Sequence, residues 1–148
     1  NLEPENAMVI PSWINRASAG ERPLTVWGDG SPIRDFIYSD DVADGMIEVV
    51  KQGYNEPINL GSGNGVTIKE IATSISEKMS DECKIVWDTS KPSGDKMRIM
   101  NTKRAESIGI KPKTSLDKGI DYTIKWYNEY GVKNLDRYNA FKDKLYTK

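Results

Sequence analysis

Arg34 is the side chain in this sequence best suited to hold a charged ligand. It stands in Val26-Trp27-Gly28-Asp29-Gly30-Ser31-Pro32-Ile33-Arg34-Asp35-Phe36-Ile37-Tyr38-Ser39-Asp40-Asp41-Val42-Ala43, an apolar strand-and-turn run followed by acids that open a helix. A guanidinium is always charged and offers a planar fork of donors, so it suits a diphosphate held partly out of water. Downstream, Lys91-Pro92-Ser93-Gly94-Asp95-Lys96-Met97-Arg98 sets Lys91, Lys96 and Arg98 in a turn-rich loop. Trp27, beside the Gly28 turn, could stack on a base or fill a core. Each feature has a plainer reading. Arg34 and Asp35 could be a surface ion pair, the 91–98 run a solvated loop, and Asp40 with Asp41 no more than helix caps that complement the dipole.

Other chemistry is ruled out by what the chain lacks. With no histidine and a single cysteine, Cys83, it can supply no histidine general base, no Ser-His or Cys-His pair and no Cys-based zinc site. One thiol also excludes an internal disulfide framework and fits a reducing compartment. The 21 basic and 22 acidic side chains leave a net charge of −1, with no broad cationic face for nucleic acid or anionic lipid. No apolar run approaches the roughly 18 to 20 residues that cross a bilayer. Gly61-x-Gly63-x-Gly65 has the wrong spacing for a dinucleotide loop, and Val66 intervenes before the helix, so it reads as a strand-to-helix turn.

The elements that must position these residues alternate. Asn6 is the expected N-cap of a helix to about Ala19, with Ile10, Trp13, Ile14 and Ala17 on one face and Gly20 as its stop. Strands are expected at Leu24–Trp27, Phe36–Tyr38, Pro57–Leu60 and Lys84–Asp88. A helix from Ser39 or Asp40 to about Lys51 carries Val42, Ala43, Met46, Ile47, Val49 and Val50 on more than one side, which predicts burial between layers. Thr67 and Glu70 form a capping-box pair ahead of a helix with Ile68, Ile71, Ala72, Ile75 and Met79 inward. A short helix follows Thr102. Ser115 caps a last helix to about Tyr130, with Leu116, Ile120, Ile124 and Tyr127 inward. Strands alternating with helices make the class α/β. The scattered short strands read as part of a larger fold.

Several runs also resemble one family. The Arg34 segment is similar to the "WGxGxxxRDFxxxxDxA" stretch of extended short-chain dehydrogenases acting on nucleotide sugars, the NAD-dependent epimerase/dehydratase family. Asn6-Ala7-Met8-Val9-Ile10-Pro11 resembles its "NxxVIP" stretch, and Ile58-Asn59-Leu60-Gly61-Ser62-Gly63 its "xNxGxG" turn. Ser90-Lys91-Pro92-Ser93-Gly94-Asp95 resembles its "xKPxG" loop, and Asn101-Thr102-Lys103-Arg104-Ala105 stands where "D-x-S/T-R/K-A" is usual. The nearest likeness is to GDP-fucose synthase-like members.

The resemblance implies the C-terminal, substrate-binding lobe of a Rossmann-type enzyme, a small sheet with several helices and the Rossmann core absent. Residues 1–131 would form that portion, with about 23–54 returning to the dinucleotide domain of the complete enzyme, and 132–148 would be a C-terminal extension. By motif position Arg34 would bind the diphosphate, aided by Lys91 and Arg98. Trp27 would flank the nucleotide, and Asn6, Val9, Arg16 and Asn64 would line the cleft. The parent activity would be an NAD(P)-dependent nucleotide-sugar epimerase, dehydratase or reductase. NAD or NADP would bind the complete protein and none this portion tightly, because the coenzyme fingerprint and the family's Tyr-x-x-x-Lys are missing; Tyr138-Asn139-Ala140-Phe141-Lys142 falls in the wrong place. The portion alone would then be inactive, with no catalytic, cofactor-binding or metal residues of its own. Its partners would be a nucleotide sugar, the N-terminal dinucleotide-binding domain and a second subunit of a homodimer, in the cytoplasm, with no nucleic acid and no membrane. The competing reading is a non-enzymatic nucleotide-sugar sensor or assembly module. In family members that carry out a double epimerisation, an acid–base histidine holds the place of Met8, and a thioether cannot move protons.

Overall fold

The computed structural model describes residues 8–79 and 83–131; Asn6 and the 132–148 segment lie outside the described residues. The elements run α1 (Val9–Ser18), β1 (Leu24–Trp27), β2 (Ile33–Asp35), α2 (Ser39–Lys51), β3 (Gly65–Thr67), α3 (Ile68–Met79), β4 (Ile85–Asp88), β5 (Met97–Arg98), α4 (Lys103–Ser107) and α5 (Leu116–Trp126), which widens into a π-helical turn over Tyr127–Gly131. The α/β class holds, but the strands form two small sheets rather than one. In the first, β1 and β4 are parallel; in the second, β2 sits between antiparallel β3 and parallel β5.

Two strands differ from the sequence expectation. The second strand is Ile33–Asp35, not Phe36–Tyr38: its ladder partners Thr67 and Gly65 end the pairing at Asp35, and Phe36 turns to pack on the core. Pro57–Leu60 forms no strand. Leu60 instead lays its side chain against Gly45 of α2, where a β-carbon would lie 3.1 Å from Leu60 Cδ2.

The helices follow their apolar stripes. Helix α1 buries Trp13, Ile14 and Ala17. It starts at Val9 behind Met8, whose side chain makes no cap bond. It stops at Gly20 (φ +87°), whose N–H donates to the Ala17 carbonyl at 3.1 Å while Glu21 N–H reaches the Arg16 carbonyl at 3.0 Å. Helix α3 opens with the reciprocal box: Glu70 N–H donates to Thr67 Oγ1 at 3.1 Å, and Thr67 N–H donates to the Glu70 carboxylate at 2.7 Å. Its Ile71, Ala72 and Ile75 meet α1, β1 and Ile120 of α5 in one core. Ser115 caps α5, accepting from Lys118 N–H at 3.4 Å.

Helix α2 departs from expectation. Its N-cap is Tyr38, with no side-chain cap bond. The Asp41 carboxylate is turned to the Thr114 N–H at 2.9 Å instead, so Asp40 and Asp41 act through the helix dipole rather than as caps. Nor is the helix buried between layers. Gly45 and Asp41 face inward, while Met46, Ile47 and Val50 are 60%, 54% and 79% exposed. One apolar side of α2 has no cover among the described residues.

Candidate functional site

The site lies where two lengths of chain run side by side from the first sheet to the second. Strand β1 ends at Trp27 opposite Asp88, the end of β4. Gly28 N–H and Lys91 N–H both donate to the Asp88 carbonyl, at 2.9 and 3.2 Å. The chain then crosses through Gly28–Pro32 on one side and 89–96 on the other. It re-pairs as β2 and β5, with Ile33 N–H donating to the Lys96 carbonyl at 2.9 Å. The parallel register places Arg34 across from Arg98. Ligand groups of open α/β sheets collect at the carboxyl ends of parallel strands, which is where Trp27 and the 89–96 loop stand.

Alternation along β2 separates its two charged neighbours. Asp35 does not pair with Arg34. Its carboxylate accepts from Ser62 N–H at 2.9 Å, Ser62 Oγ at 2.5 Å, Gly63 N–H at 3.0 Å and Met100 N–H at 3.1 Å. Asp35 is therefore the hub that fixes β2 to the 61–63 turn and to the chain beyond β5. Arg34 is half-buried and donates through Nη1 to the carbonyls of Ile33 and Asp95, both at 2.8 Å. Its other nitrogen, Nη2, lies against Gly94, 3.4 Å from where a β-carbon would stand.

The remaining cations gather around the same loop. The Lys91 ammonium lies 5.8 Å from the centroid of the Trp27 ring, a cation–π contact on an indole that is 65% exposed. Arg98 Nη2 pairs with Asp95 at 2.5 Å. Ser93 Oγ reaches Asp29 at 3.4 Å, and Ser31 binds the same carboxylate through N–H at 3.0 Å and Oγ at 2.8 Å. Those Ser31 bonds, backbone first, hold the Asp29 carboxyl below its usual range. The Ser90 hydroxyl does the same for Asp88.

Trp27, Arg34, Lys91 and Arg98 are thus brought to one loop. The others stand apart. Arg16 is a structural clip: Nε bonds Glu21 at 2.7 Å, and Nη2 bonds the Thr25 carbonyl at 2.6 Å and also Glu21. Asn64 folds its amide back onto the Ser62 carbonyl at 3.3 Å. Val9 is the exposed first residue of α1, and Asn6 is outside the described residues. Among the described residues no hydrogen bond joins Arg16 or Asn64 to Arg34. Asp95 and Ser93 are the residues whose part sequence reasoning missed. Only the parallel pairing of two-residue β5 brings Asp95 to Arg34, while Ser93 lies against Gly28 and Asp29, and a strand that short leaves no periodicity to read.

A groove of about 490 Å³ lies elsewhere, between α2 and α5, lined in part by Tyr38, Asp40, Asp41, Asp44, Lys113 and Trp126. Burial pushes the Tyr38 hydroxyl up, and the bond from Lys113 at 2.7 Å holds Asp44 down.

A dinucleotide cradle does not fit the 61–65 turn. The amides of Ser62 and Gly63 are already bound to Asp35, and Gly65 opens a strand rather than a helix. Without free N–H groups at a helix start there is nothing to hold a pyrophosphate there.

Fold and cluster together define a class: an α/β lobe that gathers cations at the carboxyl ends of a parallel strand pair. The family model described as NAD dependent epimerase/dehydratase matches residues 1–61. GDP-L-fucose synthase 1 of Arabidopsis thaliana is 37% identical over 132 residues, 86% of this chain and 41% of that protein. The crystal structure of a UDP-glucose 4-epimerase from Thermotoga maritima, solved with UDP-glucose, superposes with a TM-score of 0.77 at 28% identity, covering 86% of this chain and 41% of that one. A GDP-L-fucose synthetase from Naegleria fowleri shares the fold, with a TM-score of 0.80 at 23% identity over 89% of this chain and 42% of its own. The chain belongs to the NAD-dependent epimerase/dehydratase family. It spans about two fifths of the length of the curated relatives it matches.

Proposed function

We propose that this chain is the C-terminal, nucleotide-sugar-binding portion of an NAD(P)-dependent epimerase, dehydratase or reductase, and that Arg34, Lys91 and Arg98 grip the ligand's diphosphate. The observation that carries this reading is the register of β2 against β5. It sets two guanidinium groups on neighbouring strands, beside a loop that also lays Lys91 over Trp27. Cations so placed neutralise a diphosphate and orient the sugar beyond it, while the indole flanks the base. Val9, Arg16 and Asn64 carry no such support from their own bonding.

The names of relatives, GDP-L-fucose synthase among them, make GDP the first nucleotide to try. When present, the nicotinamide takes and returns a hydride; in this reading it is held by the rest of the enzyme, and the 61–65 turn, its amides bound to Asp35, is not its seat. The exposed Met46, Ile47 and Val50 of α2 suit packing against that missing domain. Met8, at the mouth of α1, has no proton to give, which favours reactions whose proton transfers come from groups outside this chain. Homodimerisation of the complete enzyme in the cytoplasm belongs to the same reading.

Two measurements test it. Calorimetric titration should show the chain binding GDP or another nucleoside diphosphate more tightly than the matching monophosphate. A turnover assay with nucleotide sugars and added coenzyme should give no rate. Equal affinity for mono- and diphosphates would overturn the diphosphate grip, and robust turnover would overturn the assignment as an incomplete enzyme.

A further inference from the structure

The loop that carries the cations also carries an acid aimed at them. Asp95 meets both arginines at once: its backbone carbonyl accepts from Arg34 at 2.8 Å, and its carboxylate pairs with Arg98 at 2.5 Å. The other two carboxylates at this end of the strands are occupied differently. Asp29 is bound by Ser31 and Ser93, and Asp88 by Ser90 N–H at 3.1 Å and Ser90 Oγ at 2.5 Å. Asp95 alone of the three uses its carboxylate on an arginine. The pair is open to water, with the side chains 73% and 64% exposed. Such pairs hold weakly and exchange readily.

We infer that Asp95 is a built-in competitor for the anion, its carboxylate standing on Arg98 where a ligand phosphate would otherwise bind; this rests on the diphosphate reading above. A carboxylate and a phosphate present similar oxygens to a guanidinium fork. An arriving diphosphate must therefore exchange with Asp95 before Arg98 can serve it, and must approach a negative charge while it does so. Asp95 thus sets how much anionic charge a ligand needs to hold this site. A diphosphate displaces it more readily than a monophosphate, because each further ligand charge adds attraction to Arg34, Lys91 and Arg98 together. The Arg34 bond is to a backbone carbonyl, so it survives any side-chain change at position 95.

The test is calorimetric titration of GDP into the full 148-residue chain, its Asp95→Asn variant, Arg98→Gln, and the double variant, with folding checked by circular dichroism. Asp95→Asn should bind GDP about three- to tenfold more tightly at low salt, the scale of removing one exposed like charge beside a multiply charged ligand. The gain should shrink as salt is raised and should be smaller when Arg98 is already glutamine. Asp95→Ser, which also keeps the carbonyl, should match Asp95→Asn. If the chain binds GDP and Asp95→Asn binds it no more tightly, the competitor role is overturned while the diphosphate reading stands. An equal gain with and without Arg98 likewise overturns it, since Asp95 would then act by charge alone. If neither the chain nor Asp95→Asn binds GDP, both inferences fall.

Discussion

Replacing Gly28 by alanine should unseat the loop that carries Lys91 and Asp95. Gly28 has φ +82°, a left-handed conformation, and its N–H holds the Asp88 carbonyl at 2.9 Å. A β-carbon there would lie 2.6 Å from Ser93 Oγ, 3.1 Å from Ser93 Cα and 3.2 Å from Ser93 Cβ. The hydroxyl can rotate away, but the Cα is main chain, so the loop itself must move. The backbone conformation alone costs an alanine about 1–2 kcal/mol. Forcing extra atoms into close packing costs about 1–3 kcal/mol more, giving a total of about 2–5 kcal/mol. Gly20 is the internal control. Its φ is +87°, yet a β-carbon there meets nothing within 4 Å, so Gly20→Ala should cost only the first of these amounts. Urea denaturation followed by circular dichroism measures both. The Gly28 variant should also lose affinity for GDP, because the loop no longer seats Lys91 over Trp27, whereas Gly20→Ala should bind normally. Equal destabilisation by the two substitutions, with GDP affinity retained in both, would refute the packing of Ser93 on Gly28.

Two further outcomes follow from the scaffold. Thr67→Ala breaks the reciprocal cap of α3 and should cost about 1 kcal/mol in the same denaturation assay; an unchanged midpoint would count against the box. Glu21 has its carboxyl held below the ordinary glutamate value of 4.5, first by its bond with Arg16 and then by Thr25 N–H. A carboxyl lowered on folding stabilises the protein above its unfolded value, and that contribution is lost as pH falls through the folded one. Stability measured from pH 7 downward should therefore drop below about pH 4.5 in the native chain. Glu21→Gln should start lower at pH 7 and fall less steeply, and identical profiles would remove Glu21 from the account.

What the sequence made legible follows from periodicity and from local bonds. The stripe Ile71, Ala72 and Ile75, the Thr67–Glu70 box, the Leu24–Trp27 strand and the Gly20 stop all come from contacts within a few residues, and the structure shows each of them. The second strand was less legible. Phe36–Tyr38 is the more apolar run, but Asp35 decides where pairing ends, through partners at Ser62, Gly63 and Met100 that are remote in sequence. Pro57–Leu60 carries strand-like side chains and finds no ladder. At the site, Arg34 and Lys91 were legible because charge type and turn context single them out. Asp95 was not, since its meaning depends on a two-residue strand laid beside Arg34. Arg16 shows the opposite limit: a cation placed in the cleft by motif position is bound to Glu21 and the Thr25 carbonyl.

The Arg34 grip is tested most directly by the dissociation constant for GDP of Arg34→Ala beside that of the unaltered chain, by calorimetry on folded protein. Losing a charged hydrogen-bonding partner should weaken binding by about 2 kcal/mol, roughly thirtyfold, with Arg34→Lys falling between because it keeps the charge but not the fork. An unaltered constant in a folded Arg34→Ala chain would contradict the account, leaving Arg34 as a clip for the Ile33 and Asp95 carbonyls and nothing more.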